Sequence, residues 1–204
     1  GDDTLVGYEG IDRMRGFGGD DSISGQAGND SLYGDAGSDT VNGEGGDDQL
    51  FGGEGDDSLN GGSGDDILDG GPGDDQLHGA IGHDRILFGY GSGHDTVVQW
   101  DGNNDGTYLD TLVFGEDVSL AVLRLEKIGS DLLILLGEGE DSLRFTDWFR
   151  GGPYQVDEIE FVGDEAAMTR AEFLAALPVN SDVAGTEGDD TLVGYEGIDR
   201  MRGF

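Results

Sequence analysis

Aspartate returns every nine residues through the first half of this chain. It stands at Asp3, Asp12, Asp21, Asp30, Asp39, Asp48, Asp57, Asp66, Asp75 and Asp84, and once more, after a slip of two, at Asp95. Glycine keeps the same period. One set lies five residues ahead of the aspartates, at Gly7, Gly16, Gly25, Gly34, Gly43, Gly52, Gly61, Gly70 and Gly79. The other lies two ahead, at Gly10, Gly19, Gly28, Gly37, Gly46, Gly55, Gly64, Gly73 and Gly82. Carboxylate oxygens are one kind of donor in this pattern. Backbone carbonyls are the other, because Gly lets a turn aim them at one centre. Six to eight hard oxygen donors in a flexible arrangement select Ca²⁺.

An apolar residue follows two positions after each Asp from Asp12 onward: Met14, Ile23, Leu32, Val41, Leu50, Leu59, Leu68, Leu77 and Ile86. The residues beside it are mostly polar, as in Ser22 and Ser24, Ser58 and Asn60, or Gln76 and His78. That alternation predicts a three-residue strand with its middle side chain turned inward. The six residues before it, such as those at 52–57, read as a turn. Nine copies run from 7 to 87 without an insertion, and residues 93–97 add a degenerate one. One buried Leu contributes only about 1.5–3 kcal/mol. Ordering nine backbones costs several times that, and stacked carboxylates repel. The repeat therefore needs a cation to fold, and metal binding would supply the folding free energy. Without the cation the same segment reads as a disordered acidic, Gly-rich linker.

The pattern G-G-x-G-x-D-x-U-x, met at every defined position by residues 52–60, 61–69 and 70–78, resembles the RTX (hemolysin-type) calcium-binding repeats of secreted bacterial proteins. The resemblance implies an all-β fold: a right-handed parallel β-roll with two nonamers per turn and loops alternating between two edges. It also implies that each ion lies between loops 18 residues apart. The pairs run from Asp3 with Asp21 to Asp66 with Asp84, and Asp75 with Asp95 is a possible ninth at spacing 20. About eight or nine Ca²⁺ are expected. The carbonyls of Gly25, Gly28, Gly34, Gly37, Gly43, Gly46, Gly52, Gly55, Gly61, Gly64, Gly70, Gly73, Gly79 and Gly82 complete the implied ligand set.

Beyond residue 98 the period ends and apolar content rises. Strands are expected at 110–114, 120–128, 132–136, 143–145 and 159–161, and Thr169-Arg-Ala-Glu172 opens a short helix that Pro178 ends. Gly129 with Asp131-Leu132, residues 141–145, Asp147-Trp-Phe149 and the run from Tyr154 to Phe161 resemble the module that often follows such repeats. That likeness implies a β-rich cap on the open end of the roll. Trp148 and Phe149 are expected to pack in its core rather than hold a ligand. The loop Asp101-Gly-Asn103-Asn-Asp105-Gly106 matches the first six positions of an EF-hand loop, but position 12 is Leu112 instead of Glu. A weaker calcium site and an ordinary turn are both open there.

A second period spans 187 residues: residues 1–17 recur without a change at 188–204. The reading is one unit of a tandem array followed by the start of the next, an engineered duplication being the other reading. The expected organisation is a roll at 1–98, a capping module at 99–177, a linker at 178–187 and the next roll from 188.

The remaining composition excludes other chemistry. Ten Lys and Arg against 45 Asp and Glu give a net charge of −35, which argues against nucleic acid, an anionic membrane surface and polyanions. No run is long and apolar enough to span a membrane. There is no Cys, no H-E-x-x-H, no G-x-S-x-G and no P-loop lysine, so no enzyme is expected. His78, His83 and His94 are expected to be exposed. Thr is absent from the third loop position, which disfavours an ice-binding face. The expected role is a calcium-rigidified repeat of a secreted adhesin or surface protein, in contact with adjacent units of its own chain. The alternative is the folding and secretion domain of a secreted enzyme or toxin. Export by the type I route is implied by the resemblance.

Overall fold

A computed structural model describes residues 1–98, 110–150, 156–162, 167–177, 179–184 and 198–202, the last two runs by their backbone alone. Residues Asp101, Asn103 and Asp105 lie outside them. The first strands are β1 (Thr4–Val6), β2 (Arg13–Arg15), β3 (Ser22–Ala27), β4 (Ser31–Ala36), β5 (Thr40–Gly45) and β6 (Gln49–Glu54). They continue as β7 (Ser58–Ser63), β8 (Ile67–Asp69), β9 (Gln76–Ile81), β10 (Arg85–Phe88) and β11 (His94–Val97). The second half holds β12 (Thr111–Phe114), β13 (Leu123–Ile128), β14 (Asp131–Leu136), β15 (Asp141–Phe145), β16 (Glu158–Phe161), β17 (Met168–Thr169), α1 (Arg170–Ala176), β18 (Val179–Ala184) and β19 (Ile198–Arg202).

Successive strands alternate between two parallel sheets. One runs β1-β3-β5-β7-β9-β11, the other β12-β10-β8-β6-β4-β2. From β1 to β10, residue i pairs with i + 18, as in Ile23 with Val41 and Leu32 with Leu50, and the offset becomes 20 at β11 and 26 at β12. Two nonamers thus make one turn, and the fold is the expected parallel β-roll. The apolar position of each repeat from Ile23 to Ile86 is buried between the sheets.

The strands are longer than the sequence pattern predicts: β3 to β7 and β9 each span six residues, not three. Pairing persists into the turn because its N–H groups still meet carbonyls one turn away. Gly7 N–H donates to Ser24 O at 2.8 Å and Gly10 N–H to Ala27 O at 2.6 Å. The price of this continuity is a left-handed residue at the second loop position. Phe17, Gln26, Asp35, Glu44 and Ala80 all take φ between 70° and 78° there, and Gly53, Gly62 and Gly71 take positive φ of 119°, 110° and 92° without a side chain to strain.

The second half extends the roll and does not merely cover it. β12 pairs in parallel with β10, and β16 with β12. β15 pairs in parallel with β11, and β14 and β13 then follow antiparallel. Trp148 is buried against Phe145, with ring centroids 5.0 Å apart. Phe149, expected in the core, lies part-exposed under the Lys127 ammonium, 4.5 Å from the ring centroid. The expected helix is present, and Thr169 and Glu172 form its reciprocal cap. Among the described residues no helix is long and apolar enough to cross a membrane.

Candidate metal centre

The sixth residue of each loop is placed by the strand that follows it, so its side chain repeats at each turn of the roll. The Asp of one turn donates its N–H to the Oδ1 of the Asp 18 residues on. This bond measures 2.6 Å from Asp3 to Asp21, 2.8 Å from Asp12 to Asp30 and 2.7 Å from Asp21 to Asp39. It continues from Asp30 to Asp48, Asp39 to Asp57, Asp48 to Asp66, Asp57 to Asp75 and Asp66 to Asp84. Asp75 reaches Asp95 in the same way at 3.0 Å, across the slipped spacing. The structure therefore brings together all nine aspartate pairs that the resemblance implies.

The second oxygen is left over. In Asp21, Asp30, Asp39, Asp48, Asp57, Asp66, Asp75 and Asp84 the Oδ2 is buried and has no hydrogen-bond partner among the described residues. A buried carboxylate oxygen without a partner is costly. The first Gly of each loop shows where that oxygen points. A Cβ added to Gly61 would strike Asp66 Oδ2 and stand 2.8 Å from the Gly79 carbonyl oxygen. At Gly25 the same position is crowded by Asp30 Oδ2 and by the Gly43 carbonyl at 2.9 Å. A carboxylate of one loop and a carbonyl of the next turn thus share one gap, which only a missing side chain keeps open. The third-from-last loop Gly has another role: at Gly28 or Gly46, with φ of 142° and 125°, any Cβ would collide with the carbonyl of the preceding turn.

Burial and mutual repulsion hold the carboxyls of this column above their ordinary range. Burial pushes the Asp48 and Asp75 carboxyls up to about 6, Asp57 and Asp66 to about 7, and Asp84 and Asp95 to about 8. The N–H of the preceding rung opposes this rise, and neighbouring carboxylates add to it. Among the described residues no three His, Asp or Glu side chains converge on one point. The donor set is instead one or two carboxylates with main-chain carbonyls, which suits an oxygen-seeking ion and not zinc.

Three features escaped the sequence reading. A second ladder uses the fifth loop residue, on the exposed side. Asp20 Oδ1 accepts from Ser38 N–H at 2.9 Å, and Asp47 Oδ1 from Asp65 N–H, Asp56 Oδ1 from Asp74 N–H and Asp65 Oδ1 from His83 N–H at 3.0 Å each. The recurring Asp-Asp doublet was its signal. Asp141 Oδ1 accepts from Gly93 N–H at 2.9 Å, bringing a carboxylate of the second half onto the roll. His78, expected to be exposed, is half-buried within β9, with Nε2 shielded; its strand places it beside Asn60. His83 and His94 are exposed, as expected.

The RTX calcium-binding nonapeptide repeat family matches residues 1–32, 15–50, 24–59, 51–86 and 183–204. The chain belongs to this family. A second model, the haemolysin-type calcium binding protein related domain, matches residues 131–163 of the RTX chain. Among solved structures, the extracellular lipase LipA from Serratia marcescens is similar at 17% identity, with a TM-score of 0.37. The match covers 71% of this RTX chain and 37% of that lipase chain, so the chain spans little more than a third of its length. No curated protein matches the chain.

Proposed function

We propose that this RTX chain is a calcium-dependent structural unit of a secreted protein, one member of a tandem array that acts as a spacer in an adhesin or surface protein. The observation that carries the reading is the buried row of Asp Oδ2 atoms without hydrogen-bond partners among the described residues, those of Asp21, Asp30, Asp39, Asp48, Asp57 and Asp66 sharing a Gly gap with a carbonyl of the next turn. Asp3, Asp12, Asp21, Asp30, Asp39, Asp48, Asp57, Asp66, Asp75, Asp84 and Asp95, with the loop Gly carbonyls, would hold the ions. Bound Ca²⁺ would supply the positive charge that lets adjacent buried carboxylates stay ionised. The Gly residues keep the gaps open, and the rung N–H groups fix the orientation of each carboxylate. Where calcium is scarce the acidic chain stays unfolded and can be exported. Where calcium is abundant it folds.

Support for the tandem reading comes from the last two strands. β19 repeats residues 11–15 of β2 and its approach without a change. It pairs in parallel with β18 at a spacing of 18, Asn180 with Ile198 and Asp182 with Arg200. That is the register of the roll itself. β18 in turn pairs with β13. On this reading residues 1–98 form the roll and 99–177 the cap, while 178–187 carry one unit into the next. The alternative, a folding and secretion domain of an enzyme or toxin, uses the same calcium chemistry but has no need of the 187-residue repeat.

Circular dichroism of the chain in chelator and then in millimolar calcium tests the proposal. The expected result is a disordered spectrum that turns to β on addition of the ion. A spectrum that calcium leaves unchanged would overturn it.

A further inference from the structure

We propose that Asp110, which belongs to no nonapeptide repeat, is a calcium ligand, and that it carries the ion series from the roll into the second half of the chain. The assignment rests on the calcium reading of the repeats and extends it by one site. On the loop edge that carries Asp12, Asp30, Asp48, Asp66 and Asp84, each rung is made by an Asp N–H donating to the Oδ1 of the next Asp. Asp84 makes the same bond to Asp110 Oδ1, at 3.0 Å, although 26 residues separate them. The backbone repeats the rung as well. Thr111 N–H donates to Asp84 O at 2.8 Å, as Arg85 N–H does to Asp66 O at 2.8 Å. The pairing of Arg85 with Thr111 through Phe88 with Phe114 then holds Asp110 level with Asp84.

Burial and an unpartnered atom complete the resemblance to the sites before it. Asp110 is 8% exposed and Asp84 0%. Asp84 Oδ2 is shielded, has no hydrogen-bond partner among the described residues and lies where a side chain at Gly79 would otherwise be. Two buried carboxylates in rung contact, one with an oxygen to spare, call for a cation between them.

The next register position shows how the series stops. β16 pairs with β12 so that Asp157 falls level with Asp110, and Asp157 N–H donates to Asp110 O at 2.9 Å. Here the cation is built in: Arg170 Nη1 lies 3.3 Å from Asp157 Oδ1 and 3.4 Å from Val156 O. Arg170 opens α1, and its own N–H donates to Asp157 O at 2.9 Å. A guanidinium thus stands beside Asp157 where a metal ion would stand at the earlier rungs, and Asp110 is the last carboxylate on this edge, among the described residues, that would need one.

Calcium counted by native mass spectrometry on the full chain tests this. Asp110→Asn is expected to bind one ion fewer than wild type, and Asp157→Asn the wild-type number. Equal numbers for Asp110→Asn and wild type would overturn the assignment, and one ion fewer in Asp157→Asn would overturn the terminating role of Arg170. Should Asp110→Asn fail to fold, hydrogen exchange on wild type decides. The amides of Thr111–Phe114 are expected to gain protection in the same calcium step as those of Arg85–Phe88, and protection already present in chelator overturns the proposal. A wild-type chain that binds no calcium at all overturns this inference and the proposed function together, whereas normal wild-type binding with an unaffected Asp110→Asn overturns this one alone.

Discussion

From Asp21 to Asp84 the repeat aspartates divide their two oxygens between different tasks. Oδ1 takes a hydrogen bond from the turn before it, and Oδ2 stands buried without a hydrogen-bond partner among the described residues. This division makes the metal-free roll sensitive to pH in a defined direction. The carboxyls of Asp48, Asp75, Asp84 and Asp95 would titrate near 3.8 in the unfolded chain; in the fold, burial raises Asp48 and Asp75 to about 6 and Asp84 and Asp95 to about 8. Between about pH 4 and 8 the folded form holds more protons than the unfolded chain, so its stability falls as pH rises through that window. In chelator, β structure measured by circular dichroism is expected to be greater at pH 4.5 than at pH 8. In calcium the order reverses, because protons then compete with the ion for the same oxygens. An apo spectrum indifferent to pH would contradict the burial of these groups. The Gly positions carry a separate expectation. Gly61→Ala puts a methyl group where Asp66 Oδ2 and the Gly79 carbonyl meet, and isothermal titration should show calcium binding weakened at that loop while its neighbours stay intact.

At the scale of the element, the loop is not an independent calcium-binding unit. Each Asp belongs to two rungs, one toward each end of the roll. Asp48 accepts from Asp30 N–H and donates to Asp66 Oδ1, both at 2.8 Å. Asp48→Ala is therefore expected to disturb both rungs and to flatten the calcium titration, lowering its cooperativity. A curve identical to wild type would argue against coupling between turns. Much of this was legible in the sequence. The nine-residue period pointed to the burial of one side chain in nine, and the resemblance to RTX repeats implied two nonamers per turn and the pairing of loops 18 apart. The true strand length was not legible, because pairing through the first loop positions is a backbone property that residues as different as Phe17, Gln26 and Glu44 all accommodate. Asp110 was hidden for another reason. The 26-residue spacing to Asp84 breaks the period, and only the parallel pairing of β10 with β12 reveals that the rung continues.

For the whole molecule, the net charge of −35 sets the balance between two states. Eight or nine Ca²⁺ would offset about half of it. Removing them restores self-repulsion along a roll whose apolar core is one side chain per repeat. Small-angle scattering is expected to give a radius of gyration near 50 Å in chelator, as for an unfolded chain of 204 residues, and less than half that in calcium. A radius unchanged by calcium would contradict the coupling of folding to the ion. The second half shares in this transition to the extent that β12 and β15 grow directly from the strands of the roll.

The left-handed second loop position has a mechanical consequence. Of the five left-handed residues with a side chain at this position, four, Phe17, Gln26, Asp35 and Glu44, lie in the first turns, while Gly53, Gly62 and Gly71 occupy it further on. A side chain in that conformation costs about 1–2 kcal/mol. The turns of Phe17, Gln26, Asp35 and Glu44 thus hold backbone strain that those of Gly53, Gly62 and Gly71 do not. Drained slowly of calcium, the strained turns would be expected to open before the glycine turns, so that the roll loosens turn by turn instead of all at once.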